Sequence, residues 1–166
     1  MKLVKSQRSF GACDRLFICM TYLLERLATD KDWLSYNNIR KEELFADIDY
    51  ENNHPDEKIP DNYPLLLKLD NKALATVRVD IRENIAILRL LAVTKSEQYK
   101  GHGKQLLLHI EEFVKKHDVT KLAVNSDSKA VGYYQKIGFK KEMWDKNELQ
   151  GIAEDCVQMT KKLYTS

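Results

Sequence analysis

The sequence predicts a single α/β (α+β) domain over residues 1–166. Its core is a central mixed, mostly antiparallel sheet of six or seven strands with helices on both faces. Three observations point to it. Residues 65–93 hold three apolar segments parted by the two-residue turns Asp70-Asn71 and Glu83-Asn84, the pattern of an antiparallel meander. Residues 85–125 then run strand, helix, strand, which implies a parallel pair joined by a right-handed crossover. Two further segments, 139–144 and 155–163, close the chain as strands.

Taken in order, residues 2–7 form a first strand around Leu3 and Val4. Residues 12–27 place Leu16, Phe17, Met20, Leu23, Leu24 and Leu27 at helical spacing, and Ile18 and Cys19 widen the apolar arc. They predict a helix that packs across the sheet. Asp30 is the expected cap of a second helix carrying Trp33, Leu34, Ile39, Leu44 and Phe45. Residues 50–64 hold all three prolines, two adjacent asparagines and several acids without periodicity, and predict a long loop. Loops of this length in compact domains are often functional.

Residues 65–69 and 73–81 are the first two strands of the meander. In the second, Val77, Val79 and Ile81 alternate with Arg78, Asp80 and Arg82, as in a half-buried strand. Residues 85–93 are apolar except Arg89, so that strand should be central and covered on both faces. Leu106, Leu107, Ile110, Phe113 and Val114 then recur at spacings of three and four, one apolar helix face. Residues 121–125 return as a strand. Ser126 or Asp127 caps a short helix over 129–137, which leaves through Gly138 with Phe139 packing back. Val157, Met159 and Leu163 share a face of the last strand, and residues 145–154 connect it to its neighbour.

Bulk properties narrow the function. The length suits one domain with a full core. A hydrophobic fraction of 43% and a charged fraction of 31% suit a soluble globular protein. A net charge of +2 argues for neither a nucleic-acid nor a membrane partner. No signal peptide is visible, and no apolar run approaches the roughly 18 residues that span a bilayer. Cys13, Cys19 and Cys156 form neither a disulfide framework nor a zinc site, and suit free thiols in the cytoplasm. His54, His102, His109 and His117 show no metal-ligand spacing, so no metal is expected.

The opening of the 102–115 helix carries the chemistry. Gly101 and Gly103 fall in its first turn, where backbone N–H groups lack intrahelical partners and attract anions, phosphates above all. Glycine puts no side chain between that backbone and a ligand. Lys100 and Lys104 flank the turn and add positive charge. The turn is not a P-loop. It is not a dinucleotide fingerprint either, because position 106 is Leu.

Gln98-Tyr99-Lys100-Gly101-His102-Gly103 fits the pattern Gln/Arg-x-x-Gly-x-Gly/Ala and is preceded by Leu91-Ala92-Val93. Asn125, Ala130 and Tyr133-Tyr134-Gln135-Lys136-Ile137-Gly138-Phe139 follow. In this order the two blocks resemble motifs A and B of the GNAT superfamily of acyl-CoA-dependent N-acetyltransferases, over about the last half of the chain. The resemblance implies a transferase that moves an acetyl group from acetyl-CoA to a primary amine, by direct attack in a ternary complex.

By the same resemblance, Gln98, Tyr99, Lys100, Gly101, His102 and Gly103 supply the pyrophosphate site, mostly through backbone. The main chain of Leu91, Ala92 and Val93 meets the pantetheine amides where that strand splays from its parallel neighbour. Asn125 meets the cofactor or an ordered water. Tyr134 is the expected general acid toward the departing thiolate, since a phenol is protonated at neutral pH. Tyr133 is expected to pack in the core. Glu83, Asp80 and Glu97 are the carboxylates near these strands, and no general base is assigned. The acceptor is a small-molecule or peptide amine. In GNAT members the region ahead of the second strand often walls the acceptor pocket, which makes the 50–64 loop a candidate for substrate contact. Dimers are common in the superfamily, so a homodimer is an open expectation. A non-catalytic acyl-CoA-binding or regulatory module is the alternative, and a protein-interaction domain using the 50–64 loop a third.

Overall fold

The computed structural model describes residues 20–49 and 54–164. Among these residues seven strands form one sheet: β1 (Tyr22–Arg26), β2 (Asn62–Leu69), β3 (Lys72–Arg82), β4 (Ile85–Val93), β5 (Lys121–Ser126), β6 (Lys140–Lys141) and β7 (Val157–Lys162). Their spatial order is β1-β2-β3-β4-β5-β7-β6, with β4 and β5 parallel and every other pair antiparallel. Among the described residues three α-helices accompany the sheet: α1 (Asp30–Leu44), α2 (His102–Lys115) and α3 (Val131–Lys136). Among the described residues no helix is long and apolar enough to cross a membrane.

The sheet has a core on each face. Leu65 and Leu67 of β2, with Val77, Val79 and Leu88, pack against Leu106, Leu107, Ile110 and Val114 of α2 and Val131 and Tyr134 of α3. Leu66 and Ala92 point the other way, onto Tyr36 and Ile39 of α1. Each fully buried leucine or isoleucine contributes about 1.5–3 kcal/mol. The two-residue turns behave as expected: Asp70 and Asn71 both take positive φ, 48° and 67°, which matches the twist of a tight hairpin.

Several expectations need correction. The helix predicted over 12–27 is not one at its C-terminal end, because Tyr22–Arg26 is an edge strand paired to β2. Tyr22 and Leu24 pack on the core while Leu23 and Glu25 point out, a period of two that a short apolar run hides. Residues 12–19 and the strand predicted over 2–7 lie outside the described residues. The cap of α1 is Thr29 rather than Asp30: its hydroxyl accepts from the Asp32 N–H at 3.2 Å, and the Asp32 carboxylate accepts from the Thr29 N–H in return. The expected apolar positions of α1 do not all turn inward. Leu34 is exposed, whereas Arg40 is fully buried.

The loop predicted over 50–64 is shorter. Residues 50–53 lie outside the described residues, Pro55–Lys58 forms one 3-10 turn, and β2 begins at Asn62. Pro64 sits inside β2 just past the last residue paired to β1, where a missing N–H costs no ladder bond on that side. The strand predicted over 139–144 pairs in register only at Lys140 and Lys141: Phe139 is buried in the core, and the Trp144 and Asp145 N–H groups turn to the Gln158 side chain instead of the β7 backbone. Asp127, not Ser126, supplies the cap. It serves a 3-10 turn (Ser128–Ala130) that leads into α3. The connecting segment 145–154 contains two further 3-10 turns, Lys146–Glu148 and Gly151–Ala153.

Candidate acyl-transfer site

The site begins where β4 leaves β5. The two strands pair only from Ile85↔Lys121 to Leu88↔Val124. Past that point β5 stays with β7 through Ser126, while β4 runs on beside β3. A bulge causes the parting. Arg89 pairs with Arg78 and Ala92 with Thr76, so Leu90 and Leu91 together face Val77 alone. Leu90 takes the left-handed conformation, φ 51°, that such a bulge demands. From Arg89 to Val93 the β5-facing edge of β4 therefore has no ladder partner among the described residues, and Leu91, Ala92 and Val93 line it. The Trp144 indole N–H donates to the Val124 carbonyl at 3.3 Å, which sets that ring beside the parting.

The chain then bends into α2. Tyr99 and Gly101 both have positive φ, 62° and 87°, and Gly101 is the N-cap of the helix. The Gln98 N–H is used, donating to the Lys95 carbonyl at 3.3 Å. The next six, from Tyr99 to Lys104, lie in a turn and at the start of α2 and make no close, well-aligned hydrogen bond among the described residues. Consecutive unpartnered N–H groups in such a bend form a concave anion site. A Cβ at Gly101 would meet nothing within 4 Å, so space lies over the bend. A Cβ at Gly103 would lie 2.7 Å from the Tyr133 hydroxyl, so α3 closes against α2 there.

The flanking side chains hold the bend. Gln98 Nε2 donates to the Val93 carbonyl at 2.9 Å and to Glu43 Oε2 at 3.1 Å, so this side chain braces the loop. His102 is buried, with Nδ1 hydrogen-bonded to Tyr22 Oη at 2.8 Å and Nε2 3.3 Å from Glu97. Lys100 Nζ donates to Glu97 at 3.1 Å, while Lys104 is exposed.

Of the two tyrosines, Tyr134 is the buried one, 7% exposed, its ring edge-on to Tyr133 and Phe139. Burial raises its pKa well above the ordinary tyrosine value, so the phenol keeps its proton. Its hydroxyl makes no hydrogen bond to a described residue. Tyr133 does not sink into the core as expected. It is 36% exposed and leans on Gly103. Asn125 spends its side chain on a loop: Nδ2 donates to the Glu148 carbonyl at 3.1 Å, and Oδ1 accepts from Gln158 at 3.1 Å.

Asp80, Glu97 and Glu83 are each engaged by cations or remote from the parting. Asp80 is 1% exposed and clamped by Arg78 (2.8 and 3.0 Å) and Arg89 (2.6 Å). Glu97 is held down to about pKa 2 by Lys72 first and Lys100 second. Glu83 stands in the hairpin at the opposite end of β4. None presents a free carboxylate at the parting of the strands. Sequence patterning missed the ion network there, which runs on from Arg89 to Glu148 at 2.8 Å and from Arg78 through Glu57 to Arg40. Its members lie far apart in the chain and form no motif. No group of three or more His, Cys, Asp or Glu that could hold a metal ion occurs among the described residues.

Comparison with known proteins identifies the family and the fold. A histone acetyltransferase GCN5 from Oryza sativa subsp. japonica is 34% identical over 82 residues, 48% of this chain and 16% of that protein. The chain spans about half or less of the length of the curated relatives it matches. Among solved structures, the ribosomal-protein-S18-alanine N-acetyltransferase from Escherichia coli has the same fold, with a TM-score of 0.68 at 19% identity over 88% of this chain and 96% of that one. The PaiA N-acetyltransferase from Thermoplasma acidophilum, solved in complex with coenzyme A, matches at a TM-score of 0.64 and 22% identity over 87% of this chain and 100% of that one. The family model described as "Acetyltransferase (GNAT) domain" matches residues 34–163, well over half of the chain, and the protein therefore belongs to the GNAT acetyltransferase family.

Proposed function

We propose that the protein is an N-acetyltransferase that moves the acetyl group of acetyl-CoA to a primary amine by direct attack. The observation that carries this reading is the run of six N–H groups, Tyr99 to Lys104, without a close acceptor among the described residues, beside a parted β4 and β5. The chain offers a diphosphate more donors there than the start of α2 alone would supply. The donor set fits the group: open space over Gly101, an anion-binding bend, and an unpaired strand edge for an amide-bearing arm.

When bound, acetyl-CoA supplies an activated thioester. The residues act on it in turn. The amides of 99–104 hold the diphosphate. The free edge at Leu91, Ala92 and Val93 aligns the pantetheine arm. The Tyr134 hydroxyl would give its proton to the sulfur as the amine nitrogen bonds the acyl carbon and the C–S bond breaks, and the proton shed by the amine would pass through water to restore the phenol. Asn125 acts indirectly, by fixing the segment that carries Glu148. The acceptor is an amine on a small molecule or a peptide. A cytoplasmic setting belongs to the same proposal.

A thiol-release assay with acetyl-CoA and a panel of polyamines, amino acids and lysine peptides tests it. The expected result is turnover with at least one amine class. Coenzyme A binding with no turnover on any amine would point instead to a non-catalytic binding module.

A further inference from the structure

One face of α1 carries Tyr36, Arg40 and Glu43, spaced by four and three. Tyr36 Oη donates to Glu57 Oε2 at 3.2 Å, and Arg40 Nη1 donates to Glu57 Oε1. Glu43, one turn on, reaches the other way. Its Oε1 accepts the Lys95 N–H at 2.7 Å and its Oε2 accepts Gln98 Nε2 at 3.1 Å. One carboxylate thus binds both ends of the short 3-10 turn Lys95–Glu97 that ends where the amides of 99–104 begin.

Two features set Glu43 apart from an ordinary surface brace. First, the turn lacks a cap of its own. Thr94 precedes it, yet its hydroxyl donates to the Leu74 carbonyl at 3.1 Å and leaves the turn uncapped. Glu43, from far back in the sequence, accepts the first N–H of the turn, that of Lys95. Second, Glu43 lies in the last turn of α1, where a negative charge opposes the helix dipole. Helix stability alone favours a neutral or basic residue there. The position is explained by what the carboxylate holds.

We infer that Glu43 is a positioning residue for the diphosphate-binding bend, acting through Gln98 and the Lys95 amide. The inference rests on the proposed reading of that bend as the coenzyme A site. The amides of 99–104 bind together only if the bend is already shaped. A loop that must order on binding loses affinity to lost conformational freedom. The far end of the bend is held by His102 through Tyr22 and Glu97, and Glu43 holds the near end.

Calorimetric titration of the whole protein with coenzyme A tests this, alongside thermal melts. Glu43→Ala is expected to raise the Kd roughly tenfold, with a more unfavourable binding entropy, while Tm stays within about 2 °C. Glu43→Gln keeps one acceptor for the Lys95 N–H, and its Kd should fall between wild type and Glu43→Ala. A wild-type-like Kd in Glu43→Ala, or a loss of affinity that merely tracks a loss of Tm in both variants, overturns the inference alone. Failure of the wild-type protein to bind coenzyme A overturns the assignment of the bend and this inference with it.

Discussion

Tyr134→Phe is expected to lower kcat by about 10²–10⁴-fold while leaving coenzyme A affinity within about twofold. The ring remains, so its contacts with Tyr133 and Phe139 and the core around α3 are kept. Only the hydroxyl is lost, and it makes no hydrogen bond to a described residue. The variant therefore separates chemistry from packing. Burial holds the phenol protonated beyond the usual tyrosine range, so any alkaline fall of kcat below about pH 10 belongs to another group. Steady-state kinetics with the best amine from the panel gives the answer. A change of less than about twofold removes Tyr134 from proton donation.

The second large effect is on stability. Asp80→Ala should cost about 3–5 kcal/mol and lower Tm by roughly 10 °C. Asp80 is the hub of the buried ion network. It accepts two bonds from Arg78, itself 5% exposed, and one from Arg89. Without it both guanidinium groups face each other across β3 and β4, because Arg78 and Arg89 are register partners. Two cations then lack their shared anion in a poorly hydrated place. A thermal melt that moves by less than about 2 °C would show that Asp56, Glu57 and Glu148 balance the two arginines without Asp80.

The network also shows where patterning stops. The meander and the strand–helix–strand unit were legible because each rests on local rules. Asp70-Asn71 supplies the positive φ values of a tight turn, and Leu106, Leu107, Ile110 and Val114 share one face. The edge strand at Tyr22–Arg26 was not legible, since Leu23, Leu24 and Leu27 fit a helix as well as a strand. What decides is the partner: β2 offers an open edge, and Lys68 bridges to Glu25 and Asp32 at 2.9 and 2.8 Å. The site divides the same way. Gly101 and Gly103 mark the bend in the sequence. The bulge at Leu90 leaves no mark, because a leucine there takes a conformation normally left to glycine. Glu43 and Glu148 reach the site from segments with no motif at all.

Everything functional depends on the backbone of residues 99–104 meeting a diphosphate. Backbone amide resonances of ¹⁵N-labelled protein, followed during titration with coenzyme A, test that most directly. The predicted result is a saturable shift concentrated on Tyr99 to Lys104, with a second set at Leu91–Val93 on the free edge of β4. Saturable binding that leaves the amides of 99–104 unmoved, or no binding at millimolar coenzyme A, would contradict it.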